Sequence, residues 1–262
     1  MCPAAGRQGI SLEGPSVARP FLILQLRPET EASDDEFAAI LRKGGLTADQ
    51  VRRVRLDQTP LPTDIDLDEL SGVIVGGGPG CVSDAPEEKS EAEARIEAAV
   101  LSIMPQITSR DFPYLGCCYG IGILGKHLGG DVSKAAFGEP VGTSHCEVTT
   151  EGRADPLLMG LPERFDAFVG HKEALQALPE GCVQLIRSDP CPYQMVRYRE
   201  NVYATQFHPE ADSEGFVTRI GVYKHRGYFP PEEAETMAAM ARAADVHAPE
   251  KVLRNFVKRY AR

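Results

Sequence analysis

The chain has 262 residues, a formal net charge of −10 and seven cysteines, with a sequence pI near 5.2. Its acidic balance excludes nucleic acid and anionic membrane as electrostatic partners, and no apolar run approaches the roughly 20 residues that span a bilayer. The cysteines show no C-x-x-C or zinc spacing and the amino terminus no charged-then-apolar signal, so a reduced, cytoplasmic protein without a cofactor is expected.

The length fits one sizeable α/β domain over residues 20–262, preceded by a flexible extension, residues 1–19, rich in Gly, Pro and small residues. Phe21 to Leu26 is a continuous apolar run, the pattern of a strand buried on both faces. Ser33 then caps a helix with Phe37, Ile40 and Leu41 on its apolar face, ending at Gly44 and Gly45. Val51 to Leu56 reads as a second strand. Leu70 to Cys81, LSGVIVGGGPGC, is a strand running into a glycine loop. The loop lacks G-x-G-x-x-G and a P-loop Lys-Ser/Thr, so it reads either as a plain βα turn or as backbone N–H groups aimed at an oxyanion. A helix follows from Pro86, with Ile96, Ala99, Val100 and Ile103 facing the sheet and Pro105 expected to kink or end it.

Asp111 to Gly130, DFPYLGCCYGIGILGKHLGG, is a strand, a sharp turn at Cys118, and a helix stopping at Gly129. Gly116 and Gly120 lie two residues either side of Cys118, the spacing of a nucleophile elbow. A thiol there faces a helix amino terminus, which favours thiolate; the alternative is a buried structural cysteine. Residues 131–200 alternate short strands with Pro/Gly turns and read as antiparallel strands packed beside a parallel sheet. VYATQFHPE, Val202 to Glu210, is an apolar strand ending at His208 with a carboxylate two residues on, which supplies a base and its orienting acid. The tail reads as three helices, over residues 214–223, 231–244 and 249–260. His127, His145, His171 and His208 stand in separate segments, against a metal site. Recurring β–α units with apolar strands predict an α/β, doubly wound, mostly parallel sheet with flanking helices.

G-C-C-Y-G at the elbow, the Gly-Gly-Pro loop and F-H-P-E together resemble the class I glutamine amidotransferases, in particular the GMP-synthase-like stand-alone group, from about Phe21 to about Tyr223. The resemblance implies the flavodoxin-like fold of that family. It implies that Cys118 attacks the side-chain amide of glutamine, that Gly78 and Tyr119 donate N–H groups to the oxyanion, and that His208 and Glu210 complete a triad. It further implies that Gly170 and His171 contact substrate in the position of the family's S-H-x-D loop, and that ammonia passes to a separate synthetase. Gly122 departs from the pattern, since the family carries a substrate-holding Gln there. A γ-glutamyl hydrolase or peptidase, or a catalytically silent protein of the same fold, are the alternatives.

Overall fold

Residues 18–226 and 229–262 are described by a computed structural model; the extension expected at residues 1–19 lies outside these except for its last two residues. In chain order the elements are β1 (Phe21–Gln25), α1 (Thr30–Gly44), β2 (Val51–Arg55), β3 (Gly72–Val75), α2 (Glu91–Ser109), β4 (Tyr114–Cys117) and α3 (Tyr119–His127). There follow β5 (Val132–Ser133), β6 (Glu139–Val148), α4 (Thr150–Arg153), β7 (Arg164–His171), β8 (Ala174–Leu175), β9 (Cys182–Ser188), β10 (Met195–Tyr198) and β11 (Val202–Thr205). The tail is α5 (Ser213–Tyr223), α6 (Ala234–Ala243) and α7 (Glu250–Tyr260).

A nine-stranded sheet in the order β2-β1-β3-β4-β11-β10-β9-β6-β7 runs through the molecule. Its first five strands are parallel, so their carboxyl ends open on one edge. From β11 onward the pairing is antiparallel. The strands of residues 131–200 therefore largely continue the parallel sheet instead of packing beside it; β5 and β8 alone form a separate small ribbon. The physical reason is that β11 pairs with β4 on one side and on the other with β10, which precedes it by a short turn and so lies antiparallel, with β9 added beyond β10 in the same way.

Period-two alternation divides β1 between two cores. Leu22 and Leu24 join Val73, Val75, Ile96, Val100, Met104, Ile121 and Leu124 on the face covered by α2 and α3. Phe21 and Ile23 join Ile40, Ile74, Leu115, Tyr203, Leu253 and Phe256 on the face covered by α1 and α7. Helices on both faces define a doubly wound sheet, and each fully buried apolar side chain contributes about 1.5–3 kcal/mol to it.

Two helix boundaries differ from expectation. α1 starts at Thr30, leaving Ser33 inside it, buried, with its carbonyl accepting from Gln25 Nε2 at 2.5 Å. That side-chain anchor to β1 replaces the anticipated cap. α2 begins at Glu91, capped by Ser90, whose hydroxyl and Glu93 form a reciprocal capping box, and it continues through Pro105 to Ser109. Packing of Ile103, Met104 and Ile107 against the sheet outweighs the hydrogen bond the proline removes. Among the described residues, no helix is long and apolar enough to cross a membrane.

Candidate active site

The site lies where β3, β4 and β11 end. Cys118 follows β4 directly, with φ 53° and ψ −91°, a conformation that L-residues avoid. Its N–H donates to the Thr205 carbonyl of β11 at 2.7 Å, which pins the elbow to the strand leading to His208. Of the two flanking glycines Gly116 is sterically required: a β-carbon there would stand 2.8 Å from backbone atoms of Gly120. Because α3 starts at Tyr119, that residue's N–H belongs to the first turn, where no intrahelical acceptor exists.

His208 is buried three residues past β11, its N–H held by the Phe168 carbonyl at 3.0 Å. Its Nδ1 is 2.8 Å from Glu210 Oε1, so with Glu210 ionised the Nδ1–H donates and Nε2 remains a base. Arg219 of α5 places Nη2 2.9 Å from the same oxygen. Burial opposes ionisation of Glu210, but His208 and Arg219 outweigh it and hold its carboxyl well below the usual range. Burial also lowers His208 below its ordinary value, against the pull of Glu210. For Cys118 burial dominates again and pushes the thiol up to about 12, with Arg27 pulling the other way. The resting pair is therefore thiol and neutral imidazole. Burial thus opposes the thiolate that a helix amino terminus favours.

The glycine loop after β3 is held by Glu36 of α1, which accepts from Gly77 N–H at 3.2 Å and from Arg27 Nε at 3.0 Å. A β-carbon at Gly77 would fall 2.6 Å from Arg27 Nη2 and 2.7 Å from His208 Cε1, so only glycine lets the loop, the arginine and the imidazole approach so closely. Gly78, next in the loop, shares a small cavity with Cys118, Gly170 and His208. A second cavity that Cys118 also lines is bounded by Gly78, Tyr119, His171, Glu173 and Gln206.

Gly170 reaches both cavities. The His171 ring is engaged elsewhere: Nε2 lies 2.9 Å from Glu139 Oε2 and Nδ1 lies 2.9 Å from the Glu173 carbonyl. Both ring nitrogens of the buried His171–Glu139 pair are thus occupied by protein oxygens. Gln194 Nε2 also donates to Glu139. Cys191 brings a third ligand-type atom within 4.8 Å of this pair, a grouping that sequence spacing did not reveal.

Sequence reasoning brought Cys118, Tyr119, Gly78, His208, Glu210, Gly170 and His171 forward, and all seven converge here. It missed Arg27, Glu36, Gln206 and Arg219, four buried polar residues. Arg27 and Gln206 had a usable signal, since each sits immediately beyond an apolar strand at the edge where sites form. Arg219 had none, being one polar residue in an amphipathic helix.

A cysteine on a strand–helix elbow, beside a histidine ordered by a carboxylate at the next strand end, is the layout of a cysteine-dependent amide hydrolase. Residues 35–220 match the profile of the glutamine amidotransferase class-I family, and the chain belongs to that family. It is 32% identical over 172 residues to a GMP synthase [glutamine-hydrolyzing] of Thermosipho melanesiensis, covering 61% of this chain and 29% of that protein. The GMP synthase of Caldicellulosiruptor saccharolyticus is 31% identical over 195 residues, 71% of this chain and 35% of that protein. The chain thus spans about a third of the length of these curated relatives. In fold it is similar to a glutamine amidotransferase of Thermotoga maritima, TM-score 0.72 at 20% identity, over 92% of this chain and 98% of that one. A glutamine amidotransferase of Methylobacillus flagellatus superposes at TM-score 0.65 and 19% identity over 92% and 94%.

Proposed function

We propose that the chain hydrolyses the side-chain amide of glutamine to glutamate and ammonia, and supplies that ammonia to a separate synthetase. The observation that carries this reading is the His208–Glu210 contact at 2.8 Å on the same small cavity as Cys118. Cys118 attacks the amide carbon as its proton passes to His208 Nε2. The resulting oxyanion is met by the N–H groups of Gly78 and Tyr119, and His208 returns the proton to the departing nitrogen. Water then cleaves the thioester with His208 again as base, and Glu210 keeps the imidazole oriented throughout. Gly170 borders the substrate, whereas His171 acts through the loop, its ring holding the carbonyl of Glu173.

The match to glutamine-hydrolyzing GMP synthases over about a third of their length supports an ammonia-supplying part whose acceptor chemistry lies elsewhere. Incubating the purified protein with L-glutamine, alone and with candidate synthetases, and measuring glutamate and ammonia tests this. Release that disappears in Cys118→Ala is expected. Failure of the folded wild type to release either product under both conditions would favour a silent binding protein.

A further inference from the structure

The two cavities that Cys118 lines are chemically unlike. The one with Glu173 and Gln206 does not reach His208, whereas the other is lined by Arg27, Cys118, His208, Arg219 and the apolar sides of Phe216 and Ile220. The departing nitrogen must lie beside the acid that protonates it, so the His208 cavity is the leaving-group side. Ammonia needs room for one heavy atom there. The cavity offers about 50 Å³, several times the roughly 10–15 Å³ that one water requires.

Two cations border that space, and both are almost wholly buried, Arg27 at 4% and Arg219 at 5% exposure. Arg219 is the unusual one. Although it stands in an ion pair with Glu210, none of its three guanidinium nitrogens has an aligned acceptor among the described residues. Buried donors are rarely left in that state without a ligand or water to satisfy them. Planar guanidinium donors match the two oxygens of a carboxylate, the anion that an amine leaving group such as an amino acid carries, and Phe216 and Ile220 suit a short apolar side chain.

We propose that this cavity is a leaving-group subsite for amines that carry a carboxylate, so that the protein also cleaves γ-glutamyl amino acids whose amino-acid half is small and apolar. The proposal rests on the glutaminase reading of the same triad. The reaction balances as for glutamine: Cys118 Sγ bonds to the γ-carbonyl carbon, the C–N bond breaks, and the proton carried by His208 goes to the nitrogen, which leaves as the free amino acid. Water then gives its hydroxyl to the thioester carbon and its proton, through His208, to the departing sulfur.

The test compares γ-glutamylalanine with γ-glutamylethylamide, which differ only by the carboxylate, and runs glutamine beside them. The wild type is expected to favour γ-glutamylalanine over the ethylamide by at least tenfold in kcat/KM. That ratio should collapse toward one in Arg219→Gln and fall in Arg27→Gln, whatever happens to the absolute rates. Binding to Cys118→Ala by calorimetry decides the matter without turnover and should show the same preference. Equal kcat/KM or equal affinity for the two compounds, or a ratio unmoved in both arginine variants, would overturn the subsite. Hydrolysis of glutamine with no carboxylate preference would do so while leaving the proposed function standing. Binding preference without any turnover would support the subsite and count against the glutaminase.

Discussion

Glu173 Oε1 stands 2.9 Å from the point that a β-carbon on Gly122 would occupy. The carboxylate is fixed there by the N–H groups of Val82 and Ser83 at 2.9 Å each and by the Ser83 hydroxyl at 2.7 Å. The space that a family glutamine would need at position 122 is already taken by a side chain from the loop after β7.

Gly122→Gln should therefore weaken glutamine binding and destabilise the fold by about 1–3 kcal/mol, the usual cost of overpacking, instead of restoring a lost contact. Glu173→Asp shortens the intruding carboxylate. Gly122→Gln combined with Glu173→Asp should recover part of both losses, a coupling that calorimetric titration and a denaturation series would show as non-additivity. Additive losses would mean that the two positions do not share the space.

Reaction with a glutamine-mimicking electrophile should place a single label on Cys118 and none on Cys117, readable by peptide mass spectrometry. The two thiols differ by geometry: Cys117 is the last residue of β4 and packs into the α1/α7 face, while Cys118 lines the cavities. Burial also pushes the Cys117 thiol well up.

The acid limb of kcat/KM should lie below the ordinary histidine value near 6.5, because burial lowers His208 and it must be neutral to accept the thiol proton. The sign for stability follows from the same shift. A folded pKa below the unfolded one means that the unfolded chain binds more protons, so His208 favours folding above pH about 6.5 and that contribution is lost as pH falls below it. Glu210, depressed further, adds stability above about pH 4.5 that disappears at lower pH. An acid limb at or above pH 7 would contradict the neutral thiol–imidazole pair.

His208→Ala should abolish turnover, whereas Glu210→Gln should leave a residue of it, reduced about a hundredfold or more. Glu210→Gln also strips Arg219 of its partner, and breaking a buried pair costs about 3–5 kcal/mol. Adding Arg219→Gln should restore part of that stability in a thermal melt without restoring rate. Equal rate losses at Glu210 and His208 would mean their roles are misassigned.

Gly77→Ala should cut kcat strongly while Gly78→Ala does less. The first β-carbon lands on His208 and Arg27, whereas the second meets Leu26 Cβ at 3.2 Å, a contact relieved by a shift of a few tenths of an ångström. Steady-state kinetics on both variants, with circular dichroism confirming the fold, checks the ranking.

Local pattern carried the parallel half of the fold and the placement of Cys118, His208 and Glu210 at its strand ends. FLILQL, the elbow glycines and His208 before Glu210 each show their place in the fold through spacing, because strand burial and turn sterics act over a few residues. What the sequence did not disclose was set by distant contacts. Nothing near Ser33 says that Gln25 will take its carbonyl, nothing near Gly122 says that Glu173 will fill its space, and nothing in SEGFVTRIGVY marks Arg219 as the partner of Glu210. The burial that opposes a Cys118 thiolate was hidden for a related reason, since the depth of the elbow is a property of the assembled sheet.

The positive φ of Cys118 gives the protein a conflict between durability and chemistry. A side chain held in that region costs on the order of 1–3 kcal/mol, and the cost is borne in every folded molecule, whether or not substrate is present. Glycine would carry no such burden, although it starts from a freer unfolded chain worth about 0.4–1 kcal/mol. Cys118→Gly should then be at least as stable as Cys118→Ala, reversing the usual order of those two residues. A cysteine thus stands at a position where the backbone, left to itself, would select glycine.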